Sequence, residues 1–376
     1  MLKTVTSNRK FPLIGAAFVI LNLGLGIHLQ ADESAIHSVT VQGSLMVPDN
    51  EGDTWAPAWA SDGSLYSPSD DSSGFKSALR TNVHFNQITG DTPTSLDGET
   101  VNPMSEYGKL GQAGPDHRNW KSSGCMALDG ALYLVVARHH YDVRQTAQNS
   151  SIIKSTDGGK TWTRPAAENY DHPLFPGSRF ATPYFIDYGQ DGHQTVADGS
   201  DQYVYALSNN GFWDNGDNMI LGRVLRSKIG DLKGEDWQFL KSGDGAVDAN
   251  WSSQMNDAHP VIDNPNHLGM GGAVYLPAQK CYFMVGWYFP AGGGRKTNDA
   301  SKTTCWDFYV AQYPWGPWRI VGSHQFRPEG YYGPQVCLKI SSSDGSLLQV
   351  LTTGDFNRFT GPTSVYKLTV VSLLLK

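Results

Sequence analysis

The chain has 376 residues, only 17% of them charged, with 41 glycines, 20 prolines, 11 Trp, 17 Tyr and 15 Phe. That composition excludes a helical bundle or coiled coil, which draws on Ala, Glu, Lys and Leu. A formal net charge of -7 gives no broad cationic field, which excludes nucleic acid as a partner and means that an anionic substrate would need a local cluster of Arg and His.

In chain order, Lys3, Arg9 and Lys10 precede an apolar run from Phe11 to Leu29, and Gln30, Ala31, Asp32 and Glu33 follow. This is the layout of a secretory signal peptide. Residues 1–31 are therefore expected to be removed, leaving residues 32–376 as one exported domain, extracellular or periplasmic, with no membrane contact after cleavage. A signal anchor is the competing reading, because the run approaches the roughly 20 residues that span a bilayer. Removal leaves 26 basic against 36 acidic residues, a net charge of -10.

A loose unit then recurs: a short strand, a turn with Asp or Gly, and a strand ending in Leu-Tyr or a close equivalent. It reads Trp59-Ala60-Ser61-Asp62-Gly63-Ser64-Leu65-Tyr66, then Met126-Ala127-Leu128-Asp129-Gly130-Ala131-Leu132-Tyr133, with weaker copies at Tyr184 to Tyr205, Gly272 to Phe283 and Val336 to Leu348. Each interval holds about four strand-like runs separated by Gly, Asp or Pro, and none holds a capped helix with a 3.6-residue apolar stripe. In the second interval the strands are expected at 122–127, 131–137, 151–155 and after Trp162. In the third they are expected at 180–186, 203–207, 220–226 and 237–240. Tandem four-stranded units predict an all-β fold, a β-propeller. Five visible units give about 69 residues per blade, and seven blades of about 49 fit the length as well. Ser155-Thr156-Asp157-Gly158-Gly159-Lys160-Thr161-Trp162 matches the Asp-box pattern S-x-D-x-G-x-T-W and resembles the turn joining the outer strands of sialidase-like propeller blades. Its role is structural: Asp and Ser bond turn amides, Gly takes positive φ and Trp packs between blades.

Propeller sites gather where the inner strands begin, so the loops entering those strands hold the candidates. Gly114-Pro115-Asp116-His117-Arg118-Asn119-Trp120 leads into the second unit, and its partner strand ends in Ala137-Arg138-His139-His140-Tyr141. His117 and His139 lie 22 residues apart, so a hairpin brings both to one end. Histidine there can accept and return a proton near neutrality. Either of them alone would read as a surface histidine. The third unit offers Arg179 and Tyr184, then a polar stretch with Asn209, Asn210 and Trp213 of the kind that reads sugar hydroxyls and stacks on ring faces. Arg223 alternates out of an apolar strand, where an unpaired guanidinium would be costly, so it meets a carboxylate of the protein or of a ligand. Asp257 and His259 share a strand face and read as a hydrogen-bonded pair, a catalytic pair or a calcium or zinc site, and Tyr288 reads as wall. No other cofactor is expected. Cys125, Cys281, Cys305 and Cys337 have no metal-ligand spacing; a bridge from Cys281 to Cys305 and four buried thiols are both open. Asn149 and Asn250 head glycosylation sequons.

The paired His117 and His139, Tyr184 about 45 residues later and Arg223 in the next unit resemble the propeller-fold polysaccharide lyases, namely the ulvan lyases and the rhamnose-glucuronate lyases. The likeness covers mainly residues 114–226, and the long insertion between Tyr184 and Arg223 leaves Arg179 as the substitute arginine. It implies β-elimination on a uronic-acid polysaccharide: loss of the C5 proton and expulsion of the 4-linked sugar. His139 would be the base with His117 positioning it or acting as acid, Tyr184 the alternative acid or base, and Arg223 the carboxylate clamp. Arg138, His140, Arg179, Asn209, Asn210, Trp213, His259 and Tyr288 would contact an anionic polysaccharide, and the enzyme would act as a monomer. Two other readings stand beside it. A glycoside hydrolase on the same fold would use Asp116, Asp257 or Glu329, and a non-catalytic propeller would only bind sugar.

Overall fold

The computed structural model describes residues 36–142, 145–196, 200–244, 247–290, 303–327, 330–354 and 365–376. The expected signal peptide and Glu329 lie outside the described residues. Among the described residues no helix is long and apolar enough to cross a membrane.

The fold is an all-β propeller of five blades. The first strand, β1 (Val39–Met46), belongs to the last blade. Blade 1 comprises β2 (Asn50–Asp53), β3 (Ala58–Trp59), β4 (Leu65–Phe75), β5 (Thr81–Thr89) and β6 (Asp97–Asn102). Blade 2 has three strands, β7 (Asn119–Leu128), β8 (Ala131–His140) and β9 (Thr146–Ser155). The fourth strand expected after Trp162 is absent from this blade, and the chain there forms a short helix, α1 (Ala166–Asp171). Blade 3 is built from β10 (Tyr184–Phe185), β11 (Tyr203–Asn209), β12 (Gly216–Leu225), β13 (Gln238–Asp244) and β14 (Val247–Ser252), with β15 (Pro260–Leu268) pairing β12 beyond β13. Blade 4 holds β16 (Ala273–Leu276), β17 (Cys281–Tyr288), β18 (Thr304–Ala311) and β19 (Arg319–Phe326). Blade 5 holds β20 (Tyr331–Val336), β21 (Leu347–Gly354) and β22 (Leu368–Leu375), and β1 completes it by pairing antiparallel with β22 from Val39↔Leu375 to Met46↔Thr369. The ring is thus closed by hydrogen bonds between the two ends of the described chain, which leaves no open seam between first and last blades. The five loose sequence repeats are the hairpins from inner to second strand of the five blades, and seven blades are ruled out.

Alternation along these strands sends apolar side chains into the gaps between blades, and five clusters fill the five gaps. Phe85 and Tyr66 meet Leu132 and Leu134 between blades 1 and 2, and Met126 and Tyr133 meet Val204 and Phe239 between blades 2 and 3. Tyr205 and Leu207 meet Tyr282 and Met284 between blades 3 and 4, and Phe283 and Trp287 meet Tyr332 and Val350 between blades 4 and 5. Trp55 and Leu65 meet Leu351 and Val370 between blades 5 and 1. Each buried Leu, Val or Phe contributes about 1.5–3 kcal/mol relative to exposure. At the axis the inner strands close to backbone contact: a Cβ on Gly124 would stand 2.7 Å from the Pro183 carbonyl oxygen, so only glycine lets β7 lie against the approach to β10.

Ser155 Oγ accepts from the Gly159 amide at 2.9 Å, Asp157 Oδ1 accepts from the Thr161 amide at 2.9 Å, and Trp162 packs edge-on against Phe85 of blade 1 at 4.8 Å. All four cysteines are buried free thiols. The Cys281 to Cys305 bridge is excluded by topology, since Cys281 pairs with Leu276 at one end of β17 and Cys305 with Tyr288 at the other.

Candidate active site

Chemistry-bearing side chains converge where the inner strands begin, around the axis. Asp53 ends β2, Asp70 and Asp71 lie on β4, Lys121 and Ser122 open β7, and Tyr332 opens β20. Two backbone irregularities aim them. The β2–β4 register shifts between Glu51 and Asp53, and Asp71 takes a left-handed φ of 49°, a conformation that costs a non-glycine residue about 1–3 kcal/mol and recurs at functional sites. The β7–β8 register shifts between Ser122 and Cys125, and the Ser122 amide donates to Asp70 at 3.0 Å, with Ser122 Oγ donating at 2.8 Å.

The resulting network is buried and charged. Lys121 is 3% exposed and its ammonium is ion-paired to Asp71. Asp71 Oδ2 also accepts from Tyr141 Oη at 2.6 Å, and Asp53 Oδ2 accepts from Tyr332 Oη at 2.7 Å. Burial alone would push the Lys121 ammonium down, but Asp71, Tyr141, Asp53 and Asp70 around it outweigh that and hold it above its ordinary value, so it stays charged. Asp70 is fully buried. Desolvation raises it well above the usual carboxylate range, Asp53 and Asp71 push it further, and Lys121 and Ser122 pull back only in part.

One wall of this cluster opens to solvent. A pocket of about 320 Å³ is lined by Glu51, Asp71, Arg80, Leu110, Gly111, Tyr141 and Tyr366. Two carboxylates therefore share the pocket, Asp71 backed by Lys121 and Glu51 bonded to Arg80 at 2.5 Å and to Ser73 Oγ at 2.9 Å. Among the described residues no group of three or more His, Cys, Asp and Glu is arranged to hold a metal ion, and the acids at the axis gather around an ammonium instead.

Of the residues predicted from sequence, three stand beside this cluster. His139 is buried and packs edge-on against Tyr141 at 4.6 Å and Trp213 at 4.9 Å. Tyr184 is buried with its hydroxyl 3.5 Å from Met270 Sδ; burial, then the charges of Asp70 and Asp53, push the phenol well above its usual value, so it keeps its proton.

The others lie elsewhere. His117 is exposed at a left-handed turn position with φ 59°, and His140 faces Asp142 at 3.3 Å. Arg138 is buried and bidentate to Asp116, which removes Asp116 as an available acid. Arg179 donates to the carbonyls of Met255 and Ala258, and Asn209 to those of Phe212 and Leu268, both fixing backbone. Asn210 bonds Asp217 at 3.0 Å. His259 and Asp257 are exposed, with Asp257 accepting from Ser252. Tyr288 lies against His267 at 4.1 Å. Arg223 sits near the far end of β12, 3.9 Å from the Trp251 ring and 4.1 Å from Tyr203, donating to Gln238 at 3.0 Å. Sequence reasoning passed over Asp53, Asp70, Asp71, Glu51 and Lys121. The available signal was Ser67-Pro68-Ser69-Asp70-Asp71-Ser72-Ser73, a strand segment far too polar for the buried place its neighbours give it.

No protein-family model matches the chain, and no curated protein matches it in sequence. In fold it is similar to a Bacteroides ovatus protein described as a hydrolase, with 13% identity and a TM-score of 0.52 over 88% of this chain and 87% of that one. It is also similar to a thermostable family-43 glycoside hydrolase, with 16% identity and a TM-score of 0.46 over 88% and 94% of the two chains. A GH62 hydrolase in complex with xylotriose matches with 9% identity and a TM-score of 0.45 over 90% and 98%. The first of these is described as a hydrolase, and that finding overturns the expectation of a polysaccharide lyase. The placement of His117 and Arg223 away from His139 and Tyr184 agrees: the spacing that resembled the lyases does not bring a carboxylate clamp to the two residues at the axis.

Proposed function

We propose that the chain is a glycoside hydrolase acting on a polysaccharide or oligosaccharide at the axial pocket, exported by its N-terminal segment. The observation that carries this reading is the pair of carboxylates on one pocket wall, Asp71 and Glu51. Hydrolysis of a glycosidic bond needs two: one to protonate the leaving oxygen, the other to activate water or attack the sugar carbon. Asp71 takes the ionised role, because Lys121 and the Tyr141 hydroxyl stabilise its negative form. Glu51 takes the acid role, since its partner Arg80 is 45% exposed and can be displaced by substrate. Asp70 lies buried behind them, where desolvation disfavours a further negative charge beside Lys121. The Bacteroides ovatus protein of the same fold, described as a hydrolase, supports the same class of reaction.

The test is incubation of the mature chain with a panel of neutral and uronate-bearing polysaccharides, following reducing ends and ultraviolet absorbance together. New reducing ends with no unsaturated, absorbing product are expected. An absorbing product, or no reducing ends on any member of the panel, would contradict the proposal.

A further inference from the structure

A second pocket, of about 440 Å³, lies on the flank of blade 2. Its floor is Trp120 and Arg138, its wall the short helix α1 with Ala167 and Tyr170, and its rim carries Glu106 and Asp171. We propose that it is a distal sugar-binding subsite, taking a neutral sugar unit of the same polysaccharide chain that is cut at the axial pocket. This rests on the hydrolase reading above.

Three observations carry it. The two pockets share a divider: Leu110 and Gly111 line the axial pocket, while Gly108, Gln112 and Ala113 of the same segment line this one. A chain lying across that ridge reaches both, and Leu110 on its crest is 37% exposed. The ridge is rigid, because the buried Asn82 side chain donates to the carbonyls of Tyr107 and Gln112 at 3.0 and 2.9 Å and accepts from the Gly111 amide at 2.9 Å. Preorganisation of this kind lowers the ordering cost of binding.

The second observation is Arg138. It is 2% exposed, its Cζ lies 4.5 Å from the Trp120 ring and 5.2 Å from the Tyr170 ring, and Nε and Nη2 are taken by Asp116 and the Arg118 carbonyl. Its Nη1 makes no hydrogen bond to a described residue, which leaves a fixed donor edge on the pocket floor for a hydroxyl or ring oxygen. The third is charge. Asp116 already neutralises Arg138, and Glu106 and Asp171 add negative charge at the rim, so a carboxylated sugar is repelled while sugar hydroxyls find acceptors. Aromatic walls with a few fixed polar groups are the general form of a small-molecule site.

The test reads binding, so it is independent of turnover. The full chain carrying Asp71→Asn is run in native gels containing soluble arabinoxylan, linear arabinan or polygalacturonate, beside the same chain carrying Ala167→Trp or Tyr170→Ala. Ala167 is exposed on α1, so Ala167→Trp plugs the pocket without touching the core. The expected result is retardation by at least one neutral polymer and not by polygalacturonate, weakened about tenfold or more by either substitution, equivalent to about 1.4 kcal/mol. Unchanged retardation in the Ala167→Trp chain, strongest retardation by polygalacturonate, or none in any gel would overturn the subsite. A wild-type chain that binds through this pocket but releases no reducing ends from the polymer it binds would overturn the hydrolase reading alone.

Discussion

Replacing Lys121 by Met removes the ammonium that faces Asp71, Asp70 and Asp53 and keeps the length of the side chain. Breaking a buried ion pair by deleting one partner costs about 3–5 kcal/mol, since the remaining charge is left uncompensated. With an unfolding entropy of about 2.1 cal/mol/K per residue, a chain of this size has about 0.7 kcal/mol/K, so Tm should fall by about 4–7 °C at pH 7.5. The sign of the pH dependence is fixed. Without Lys121 an ionised Asp71 is left buried and uncompensated, so the cost is greatest at high pH and is relieved as the carboxylate protonates. Thermal unfolding followed by circular dichroism at pH 4.5 and 7.5 should show a wild-type minus variant difference that is larger at 7.5. A shift under about 1 °C at both values, or a larger one in acid, would refute a charged Lys121 at the centre of the acidic cluster.

Other perturbations test the surrounding account. His84 is fully buried with Nε2 unpartnered among the described residues, and burial pushes it down to about 4 from 6.5, so the unfolded state binds the extra proton between those values. Stability should therefore fall as pH drops from about 6.5 to about 4, and urea midpoints of His84→Gln should lose that slope. Arg223→Ala removes two ring contacts and the Gln238 hydrogen bonds far from the axis. It should cost about 1–2 kcal/mol of stability by denaturant titration and leave kcat/KM unchanged.

The ring was legible because each blade repeats one hairpin. Leu65-Tyr66, Leu132-Tyr133 and Leu347-Leu348 each stand at or next to the start of a second strand, where a large apolar side chain must enter the gap between blades. The blade count needed the pairing of β1 with β22, a contact between residues more than 320 apart that no local pattern carries. Residue types drew attention at the site to His117, Arg138 and Arg223, whose charges are spent on solvent, Asp116 and aromatic rings. Asp70 and Asp71 were hidden because period-2 reading assigns one face to each, whereas the left-handed backbone at Asp71 and the bulge beside it bring both to the same Lys121. His139 and Trp213 were found for the wrong reason: they reach the site as the packed ring support of Tyr141.

The most direct measurement is kcat/KM of wild type and Asp71→Asn on whichever polymer in the panel releases reducing ends, with Tm recorded for both. The account predicts a loss of about 10²- to 10⁴-fold in a variant that remains folded. Activity within about fivefold of wild type in folded Asp71→Asn would contradict the assignment of hydrolysis to the axial pocket.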